Sequence, residues 1–460
     1  MHRFPRRAAA AAAACTVLAG CSQSGVSSVP PSRAISDSAK QASAPFGYSV
    51  HPRVRRLGDL LLHNCSSAGS TDCLTPTTIR SGYDFSYTPG VSDGSGQTIV
   101  IVDAFGSPTI TKDVATFDKL FGLPDPVITT YYPGGKPTVN LNNATQLSWA
   151  EETSLDVEWA HAAAPGAAIA LVIANNDQGQ TIQATQLYAA SNFPNSAMSL
   201  SFGVQELSIN GGANNTQLVQ AQQIYQTAAA NHITVIASAG DLGAGGGFGT
   251  PNPQYPASDP NVLSVGGTNL SLFHNGRYRN ESVWNDSDNC VSPCLLPNDG
   301  ATGGAPSTIF TNALIPNQAI LLGGKTARAV ADVAYNASPN TGVVVVIGFS
   351  AKGVSPGTYA VGGTSQGPPQ YAGIIAIANQ LRAHMNPARG PLGPVTNALY
   401  GAVLQGAQTT KTPPFHDVSI GDNVFPAGSN GFSAGAGYDY PTGLGSPDIN
   451  NLMNVLVNLP

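Results

Sequence analysis

The hydrophobic positions of this chain fall into short continuous runs, separated by stretches in which apolar residues recur at helical spacing. The continuous runs cover residues 97–104, 167–174, 197–202 and 233–238. Runs of this kind are typical of parallel strands that are buried on both faces. Helical spacing marks residues 110–121, 217–230 and 369–382. The pattern therefore predicts strands and helices in alternation.

This alternation predicts an α/β fold, in which a parallel sheet is covered by helices on both faces. Two more apolar runs, at 262–265 and 342–348, predict further strands. Residues 73–460 then form one large domain. Active sites in such sheets lie beyond the carboxyl ends of the strands, so polar residues at those positions are the first candidates for chemistry.

The first 20 residues have the pattern of an export signal. A basic start leads into an apolar stretch that is too short to cross a membrane as a helix. The stretch ends in Leu18-Ala19-Gly20-Cys21, which resembles a bacterial lipobox and predicts lipidation of Cys21; ordinary cleavage at a small residue is the alternative. Residues 21–46 are then a lipid-anchored flexible tether, and 47–72 a short N-terminal extension.

Composition and charge exclude several classes of protein. Only 10% of the residues are charged, the chain has 51 Gly and 35 Pro, and its net charge is −6. A hydrophobic content of 42% argues against disorder, and the glycine content argues against a coiled coil. The acidic balance argues against a nucleic-acid partner. We therefore expect an exported globular protein, and we expect it to be a monomer.

Four cysteines follow the signal and the lipobox, as two local pairs. Cys65 and Cys73 form one pair, and Cys290 and Cys294 form the other. Disulfides are favoured in an exported chain with an even number of cysteines. A metal site is the alternative, but no histidine clusters with either pair.

Three polar motifs lie where chemistry is expected. Glu152 and Asp156 share one face of a predicted helix, and two carboxyl groups so close tend to share a proton. Ser365 lies in a glycine-rich turn that opens a helix, where backbone N–H groups stabilise negative charge. Asp241 follows a buried strand. Taken singly, these residues are also compatible with an acidic surface, a helix cap and a turn.

Together and in this order, the motifs resemble the sedolisin (serine-carboxyl peptidase) family, which is related to the subtilisins. The resemblance rests on Glu152-x-x-x-Asp156, on Gly240-Asp241, and on Thr364-Ser365 followed by Pro369. It implies a subtilisin-like fold with Ser365 as nucleophile, Glu152 as general base, Asp156 as its partner and a protonated Asp241 in the oxyanion hole.

The same resemblance implies acid-active cleavage of polypeptide chains as a serine-type endopeptidase. A substrate would bind along Ser201-Phe202-Gly203. The resemblance also implies one structural calcium ion near the C-terminus, bound by Asp417, Val418, Gly435, Gly437 and Asp439. Family members typically carry a long folded prodomain, for which residues 47–72 leave no room.

Two alternatives remain open. A subtilisin-type triad would use Asp103 and His161 with Ser365, but His161 would face away from Glu152 on the same helix. A non-catalytic lipoprotein of the same fold would bind peptides without cleaving them. The peptidase is the preferred hypothesis, located in the bacterial cell envelope as an outer-membrane lipoprotein or a secreted protein.

Overall fold

Strands and helices alternate through most of the domain in a computed structural model of the chain, which describes residues 46–57, 65, 73–286, 300–312, 315–426 and 428–460. The helices are α1 (Pro76–Gly82), α2 (Ile110–Phe121), α3 (Ala144–Ala163), α4 (Gly179–Asn192), α5 (Thr216–Ala230), α6 (Pro316–Leu321), α7 (Gly367–Ala383), α8 (Thr396–Leu404) and α9 (Ile449–Leu456). The strands are β1 (Arg53–Arg56), β2 (Thr98–Ala104), β3 (Ile128–Tyr131), β4 (Ala168–Ala174), β5 (Ala197–Leu200), β6 (Val204–Gln205), β7 (Thr234–Ser238), β8 (Gln254–Tyr255), β9 (Val262–Leu272), β10 (Tyr278–Val283), β11 (Ala305–Pro306), β12 (Ala329–Val330), β13 (Val333–Asn336), β14 (Val343–Ile347), β15 (Gly357–Gly362), β16 (Phe415–His416) and β17 (Ser446–Pro447).

The central sheet has eight strands within the described residues. Its order is β3-β4-β2-β5-β7-β9, with β13 and β10 both paired to β9. Only β10 runs antiparallel to its neighbour. The carboxyl ends of β2, β5 and β7 therefore meet at one edge of the sheet, which is where a parallel sheet places its active site.

Helices cover both faces of this sheet, as the alternation predicts. Along β2, Ile99 and Ile101 pack into the hydrophobic core that contains α3 and α7. Val100 and Val102 pack into the opposite core, with α4 and α5. Successive strand residues point to opposite faces, and here both faces are buried, so the strand is apolar throughout.

The run at 342–348 is a strand, but the expectation that it extends the parallel sheet is wrong. Residues Val343–Ile347 (β14) pair antiparallel with β15, and β15 pairs antiparallel with β1 in a separate three-stranded sheet. This second sheet packs on α3, where the Trp159 indole donates to the Val344 carbonyl at 2.9 Å. A continuous apolar run shows that a strand is buried but does not show which strand it pairs with.

Residues 46–57 and Cys65 make ordered contacts with the domain. Phe46, Tyr48 and Val50 are buried, and β1 follows them. Cys65 and Cys73 form a disulfide, with Cα atoms 5.1 Å apart. Cys21, Cys290 and Cys294 lie outside the described residues, so their predicted lipidation and pairing remain predictions. In the part of the chain that is described, no helix is long and apolar enough to cross a membrane.

Candidate active site

Helix α3 carries the carboxylate pair into the protein interior. Asn143 caps the helix by accepting a hydrogen bond from the Gln146 N–H at 3.1 Å. From Trp149 to Ala163 every residue of α3 is buried, because α7 and both sheets pack around it. Glu152 and Asp156 have no solvent-exposed surface. They are therefore not members of an acidic surface stripe.

Ser365 lies in the turn that joins β15 to α7. A single 3-10 turn, Thr364–Gln366, precedes the first residue of α7, so Ser365 lies at the amino end of a long buried helix. Its hydroxyl is 3.5 Å from the Ser201 carbonyl oxygen, and its side chain is 4% exposed. The Ser365 hydroxyl also lowers the pKa of Glu152, against the larger effect of burial. The nucleophile and base of the predicted triad are thus neighbours.

Neither oxygen of Glu152 has a hydrogen-bond partner of normal geometry among the described residues. Catalytic hydrogen bonds are often long before substrate binds, so the lack of a normal hydrogen bond to Glu152 is compatible with its predicted role as general base. An unpartnered carboxyl group in the interior needs either a proton or a ligand to satisfy it. The Glu152 carboxyl group beside Ser365 therefore has the capacity to form a hydrogen bond with a polar group of a ligand.

Asp241 lies across the turn from Ser365, beyond the end of β7. Its Oδ1 accepts hydrogen bonds from the Thr364 N–H at 2.8 Å and from the Thr364 hydroxyl at 2.6 Å. Gly363 has φ 119°, and a Cβ there would lie 2.7 Å from Asp241 Oδ2. Glycine thus provides both the backbone conformation and the space for this carboxyl group. Oδ2 is the oxygen left to meet a substrate.

Carboxyl groups dominate the electrostatics of the site. Burial raises the pKa of Glu152 well above its usual range, and Asp103, Asp241 and Glu151 raise it further. Burial, Asp103 and Glu152 do the same for Asp156. Like charges in a dry interior cannot all ionise, so the cluster holds shared protons. A mixture of protonated and ionised carboxyl groups is what acid–base transfer at low pH requires.

The segment Ser201–Gly203 is predicted to line the substrate, and its residues make different kinds of contact. The Ser201 hydroxyl donates to Asp156 Oδ1 at 2.8 Å, so this side chain belongs to the carboxylate network and does not face a substrate. The backbone N–H and carbonyl of Gly203 are both hydrogen-bonded to Ser49, at 3.1 and 3.0 Å. The side chain of Gln254 fills the space beside Gly203, where a Cβ would lie 2.0 Å from Gln254 Cγ.

The subtilisin-type alternative is not assembled within the described residues. His161 Nε2 lies 2.8 Å from the Pro124 carbonyl and 3.1 Å from Asp118 Oδ1, on the side of α3 that faces away from Ser365. Asp103 is close to the carboxylate pair instead. A base at His161 would have to leave its buried partners to reach the nucleophile.

The residues of the predicted calcium site lie in neighbouring C-terminal loops. Asp417 accepts hydrogen bonds from the Gly437 N–H, and Asp439 accepts one from the Gly435 N–H at 3.0 Å. Burial raises the pKa of Asp439, and the Asp417 carboxylate adds to that effect. Across the described part of the chain, neither carboxylate forms an ion pair with a basic side chain, and no cluster of three or more His, Cys, Asp or Glu side chains has the arrangement of a metal site. The two carboxyl groups are thus close enough to interact, and carboxylate oxygens are ligands that a hard cation takes.

Sequence reasoning assigned one carboxyl group of the site, Asp103, only to the alternative subtilisin-type triad, and it missed a second, Glu151. Asp103 lies near the end of β2 and has a pKa of about 7 because burial penalises its charge. Glu151 has a pKa of about 7 for the same reason. Asp103 lies at the carboxyl end of a buried strand, which is a usable signal. Glu151 gave none, because adjacent helix residues ordinarily face different directions.

Comparisons with known proteins agree with this fold and indicate the class of protein. Residues 142–413 match the sequence model of the Subtilase family. A solved structure of Pseudomonas sedolisin, described as a serine-carboxyl proteinase complexed with two molecules of pseudo-iodotyrostatin, matches with a TM-score of 0.69 and 26% identity, over 84% of this chain and 98% of that one. The fold and the site thus define a serine-type peptidase with a subtilisin-like α/β fold.

Two curated relatives show to which family of these peptidases the chain belongs. Kumamolisin from Bacillus sp. strain MN-32 is 32% identical over 88% of this chain and 68% of its own length. Sedolisin from Pseudomonas sp. strain 101 is 28% identical over 88% of this chain and 64% of its own length. The chain therefore belongs to the sedolisin family, and the family and fold predicted from the motifs are confirmed.

Proposed function

We propose that this protein hydrolyses peptide bonds at acidic pH as an endopeptidase, through Ser365, Glu152 and Asp156, with Asp241 in the oxyanion hole. The observation that carries the proposal is a serine hydroxyl beside a buried carboxyl pair, at the amino end of a helix. A histidine base would be protonated and inactive in acid. A carboxyl pair that shares one proton keeps a base available there.

In the proposed reaction, Ser365 Oγ attacks the scissile carbonyl carbon while its proton moves to Glu152. A C–O bond forms, and the carbonyl electrons move onto the oxygen, which Asp241 Oδ2 stabilises by donating a proton in a hydrogen bond. Glu152 then returns the proton to the leaving amine as the C–N bond breaks. Water repeats the sequence on the acyl-enzyme, with Asp156 sharing the proton held by Glu152.

The test is digestion of a denatured protein from pH 3 to 8. It compares the wild-type protein with two variants, Asp241→Ala and Asp241→Asn. We expect wild-type activity below about pH 5, as a mechanism that uses carboxyl groups for proton transfer requires. Asp241→Ala should lower kcat by about 10²- to 10³-fold at every pH, since one oxyanion donor is lost. Asp241→Asn keeps an acceptor for Thr364 and a donor that does not ionise, so activity should extend toward neutral pH.

Equal pH profiles for the Asn and Ala variants would contradict the role of Asp241. A folded wild-type protein that digests nothing at any pH would favour the alternative function, a lipoprotein of this fold that binds peptides without cleaving them.

We also propose that one calcium ion binds Asp417, Asp439 and the carbonyls of Val418, Gly435 and Gly437, and holds the C-terminal loops in place. Saturating calcium should then stabilise the fold by about 2 to 3 kcal/mol relative to a chelator, as expected for an ion at 100 times its Kd. Differential scanning calorimetry with calcium or EGTA measures this difference.

Asp417→Asn should abolish the calcium response in that experiment. Asp422→Asn is the matched control, since Asp422 accepts hydrogen bonds from Asn285 and Val424 in the same region. An identical melting temperature with calcium and with EGTA in the wild-type protein would rule out the site.

For location, we propose that Cys21 is lipidated and that the protein is anchored in the bacterial cell envelope. Cys21→Ala should then move the protein from the membrane fraction to the soluble fraction of the expressing cells. Intact-mass analysis should show the loss of a diacylglycerol-modified N-terminus. Recovery of both variants in the same fraction, with no mass difference beyond the substitution, would refute the anchor.

A further inference from the structure

A cavity of about 490 Å³ lies between helix α5 and two loops, and we call it the α5 cavity. Gln222 and Gln226 of α5 form one side, residues 259–261 before β9 form the second, and residues 309–312 after β11 form the third. Its volume is in the range of small-molecule sites. Among the described residues that line it, none belongs to the proposed catalytic group. The α5 cavity is therefore a second concave site with a chemistry of its own.

The α5 cavity contains a buried carboxyl group with one unsatisfied oxygen. Asp259 lines the cavity and is 1% exposed. Its Oδ1 accepts hydrogen bonds from the Asn261 N–H at 2.9 Å and from the Asn261 side-chain amide at 3.4 Å. Its Oδ2 has no hydrogen-bond partner in the part of the chain that the structure describes. A buried carboxyl oxygen of this kind needs a proton or a ligand.

The nearest buried cation does not supply that partner. Arg328 donates to both carboxyl oxygens of Asp332, so its charge is already paired. The same guanidinium donates to the carbonyls of Ala257 at 3.2 Å and Val262 at 3.1 Å, which flank Asp259 in the chain. Arg328 thus fixes the turn that carries Asp259. Within the described residues, Asp259 forms no ion pair with a basic side chain.

The wall opposite α5 is apolar and is held in place by the protein itself. It is formed by Ile309 and Phe310. The Phe310 ring stacks on Tyr255, with centroids 6.2 Å apart and ring planes within 18°. Glu206 fixes this loop, since its carboxylate accepts from the Ser307 hydroxyl at 2.6 Å and from the Ile309 N–H at 3.2 Å. A wall that is already ordered loses little entropy when a ligand binds.

The remaining lining side chains and their charge define the class of ligand. No Lys, Arg or His side chain lines the cavity among the residues described. An ammonium group has three N–H donors, so it pairs with one carboxylate and also with neighbouring amide oxygens. A divalent metal ion would need several anionic oxygens, and a neutral sugar would leave the Asp259 charge unpaired. An aromatic wall favours an organic cation, whose stem it covers and whose charge the ring face attracts.

We propose that the α5 cavity binds an organic ammonium group on an apolar stem, with Asp259 Oδ2 as its counter-ion. The ligand is a free alkylamine or the side chain of a lysine in a polypeptide, which share this chemistry. Ile309 and Phe310 contact the stem, and the side-chain amides of Gln222 and Gln226 accept the remaining N–H groups. The proposal is independent of the proposed peptidase function, since the α5 cavity contains no catalytic group.

Binding should depend on pH through Asp259. Burial raises the pKa of Asp259 to about 7. The other titratable groups that face it are Arg328, which Asp332 neutralises, and the hydroxyls of Tyr48, Tyr225 and Tyr255. Burial raises the pKa of each hydroxyl, so these groups stay neutral between pH 5 and 8. The ammonium group binds the ionised carboxylate, and affinity should therefore rise at least tenfold from pH 5 to pH 8.

The test is calorimetric titration of the Ser365→Ala protein with n-butylammonium chloride at pH 8, in saturating calcium. Asp259→Asn, added to this protein, keeps the shape of the side chain and removes its charge. We expect it to weaken binding at least tenfold, the effect of losing a hydrogen bond to a charged group. Asp125→Asn is the matched control, because it removes one charge at an exposed position away from the cavity, and it should change Kd less than twofold. Equal Kd values for folded Asp259→Asn and Asp125→Asn would overturn the proposal.

Two further arms need no variant at position 259. 1-Butanol has the same stem without the charge and should bind at least tenfold more weakly than butylammonium. The peptide acetyl-Ala-Lys-Ala-amide separates the two sources: affinity equal to that of butylammonium supports a lysine side chain, and weaker binding supports a free amine. No binding of either cation at pH 8, or equal affinity for butylammonium at pH 5 and pH 8, would overturn the proposal. These outcomes are read without catalysis, so they stand apart from success or failure of the peptidase function.

Discussion

Replacing Ser365 with Ala should lower kcat/KM on a denatured protein by about 10⁴-fold or more, with the fold intact. Removal of a serine nucleophile in a related mechanism costs this much because the remaining groups do not act without it. The methyl group of Ala fits the 4% exposed site without a clash, so melting temperature and circular dichroism should match the wild-type protein. Initial rates over a range of pH measure the effect.

The Glu152→Gln variant tests the general base more specifically, since it keeps the size of the side chain and removes only its ability to take a proton. We expect a loss similar to that of Ser365→Ala, because nucleophile and base act as one unit. The comparison variant is His161→Gln, whose amide is able to donate to the Pro124 carbonyl in place of the ring. A folded His161→Gln protein should keep activity within a few-fold of wild type.

The opposite effects of these two substitutions would assign the role of general base to a different residue. Activity near neutral pH that survives Glu152→Gln and is lost in His161→Gln would assign the general base to His161. That outcome would require α3 to present its other face to Ser365, against the contacts of His161 with Asp118 and Pro124.

The features that sequence reasoning obtained are local in the chain. The bounds of α2 agree with the helical spacing at both ends, and β2 and β4 agree within one residue. Glu152 and Asp156 share a face because their spacing on a helix dictates it. Ser365 lies at a helix start because Gly and Pro residues mark that start in the sequence. Local rules were sufficient for each of these.

The features that sequence reasoning missed depend on contacts between distant parts of the chain. Ser49 and Gly203 pair across 154 residues, and nothing in residues 46–52 by itself indicates a partner. The strand Val343–Ile347 is apolar enough for either sheet, and only its pairing with β15 decides between them. The depth of burial of Glu151 depends on what packs around α3. Strand pairing and burial are set by the whole fold, which a single sequence does not display.

The second large effect is on stability, which should be greatest in acid. Asp103, Glu151 and Asp259 have pKa values of about 7 because burial disfavours their ionised forms. Burial also raises the pKa of Glu158 well above its usual range. In the unfolded chain these groups release their protons near pH 4. Between the two values the folded protein holds protons that the unfolded chain has lost.

The direction in which the free energy of unfolding changes with pH follows from this difference in bound protons. Each such group lowers the free energy of unfolding by about 1.4 kcal/mol per pH unit as the pH rises from its unfolded pKa to its folded pKa. The stabilisation is complete below about pH 4 and is lost as the pH passes through about 7. His416 opposes this trend, because burial lowers its pKa from 6.5 to about 4. Burial also lowers the pKa of His51. Two opposing groups against four or more carboxyl groups leave stability falling toward neutral pH.

Calorimetry of the Ser365→Ala protein, which cannot digest itself, should therefore give the highest melting temperature near pH 4 to 5 and a value on the order of 10 °C lower at pH 8. Glu151→Gln removes one titrating group and should reduce the slope of the unfolding free energy by about 1.4 kcal/mol per pH unit between pH 5 and 7. A melting temperature that rises from pH 5 to pH 8 would mean that the buried carboxyl groups are ionised in the folded protein. The proposed reaction needs a shared proton on Glu152 and Asp156, and burial raises the pKa values of these two groups as well. Loss of stability and of activity over one pH range would therefore link stability to catalysis.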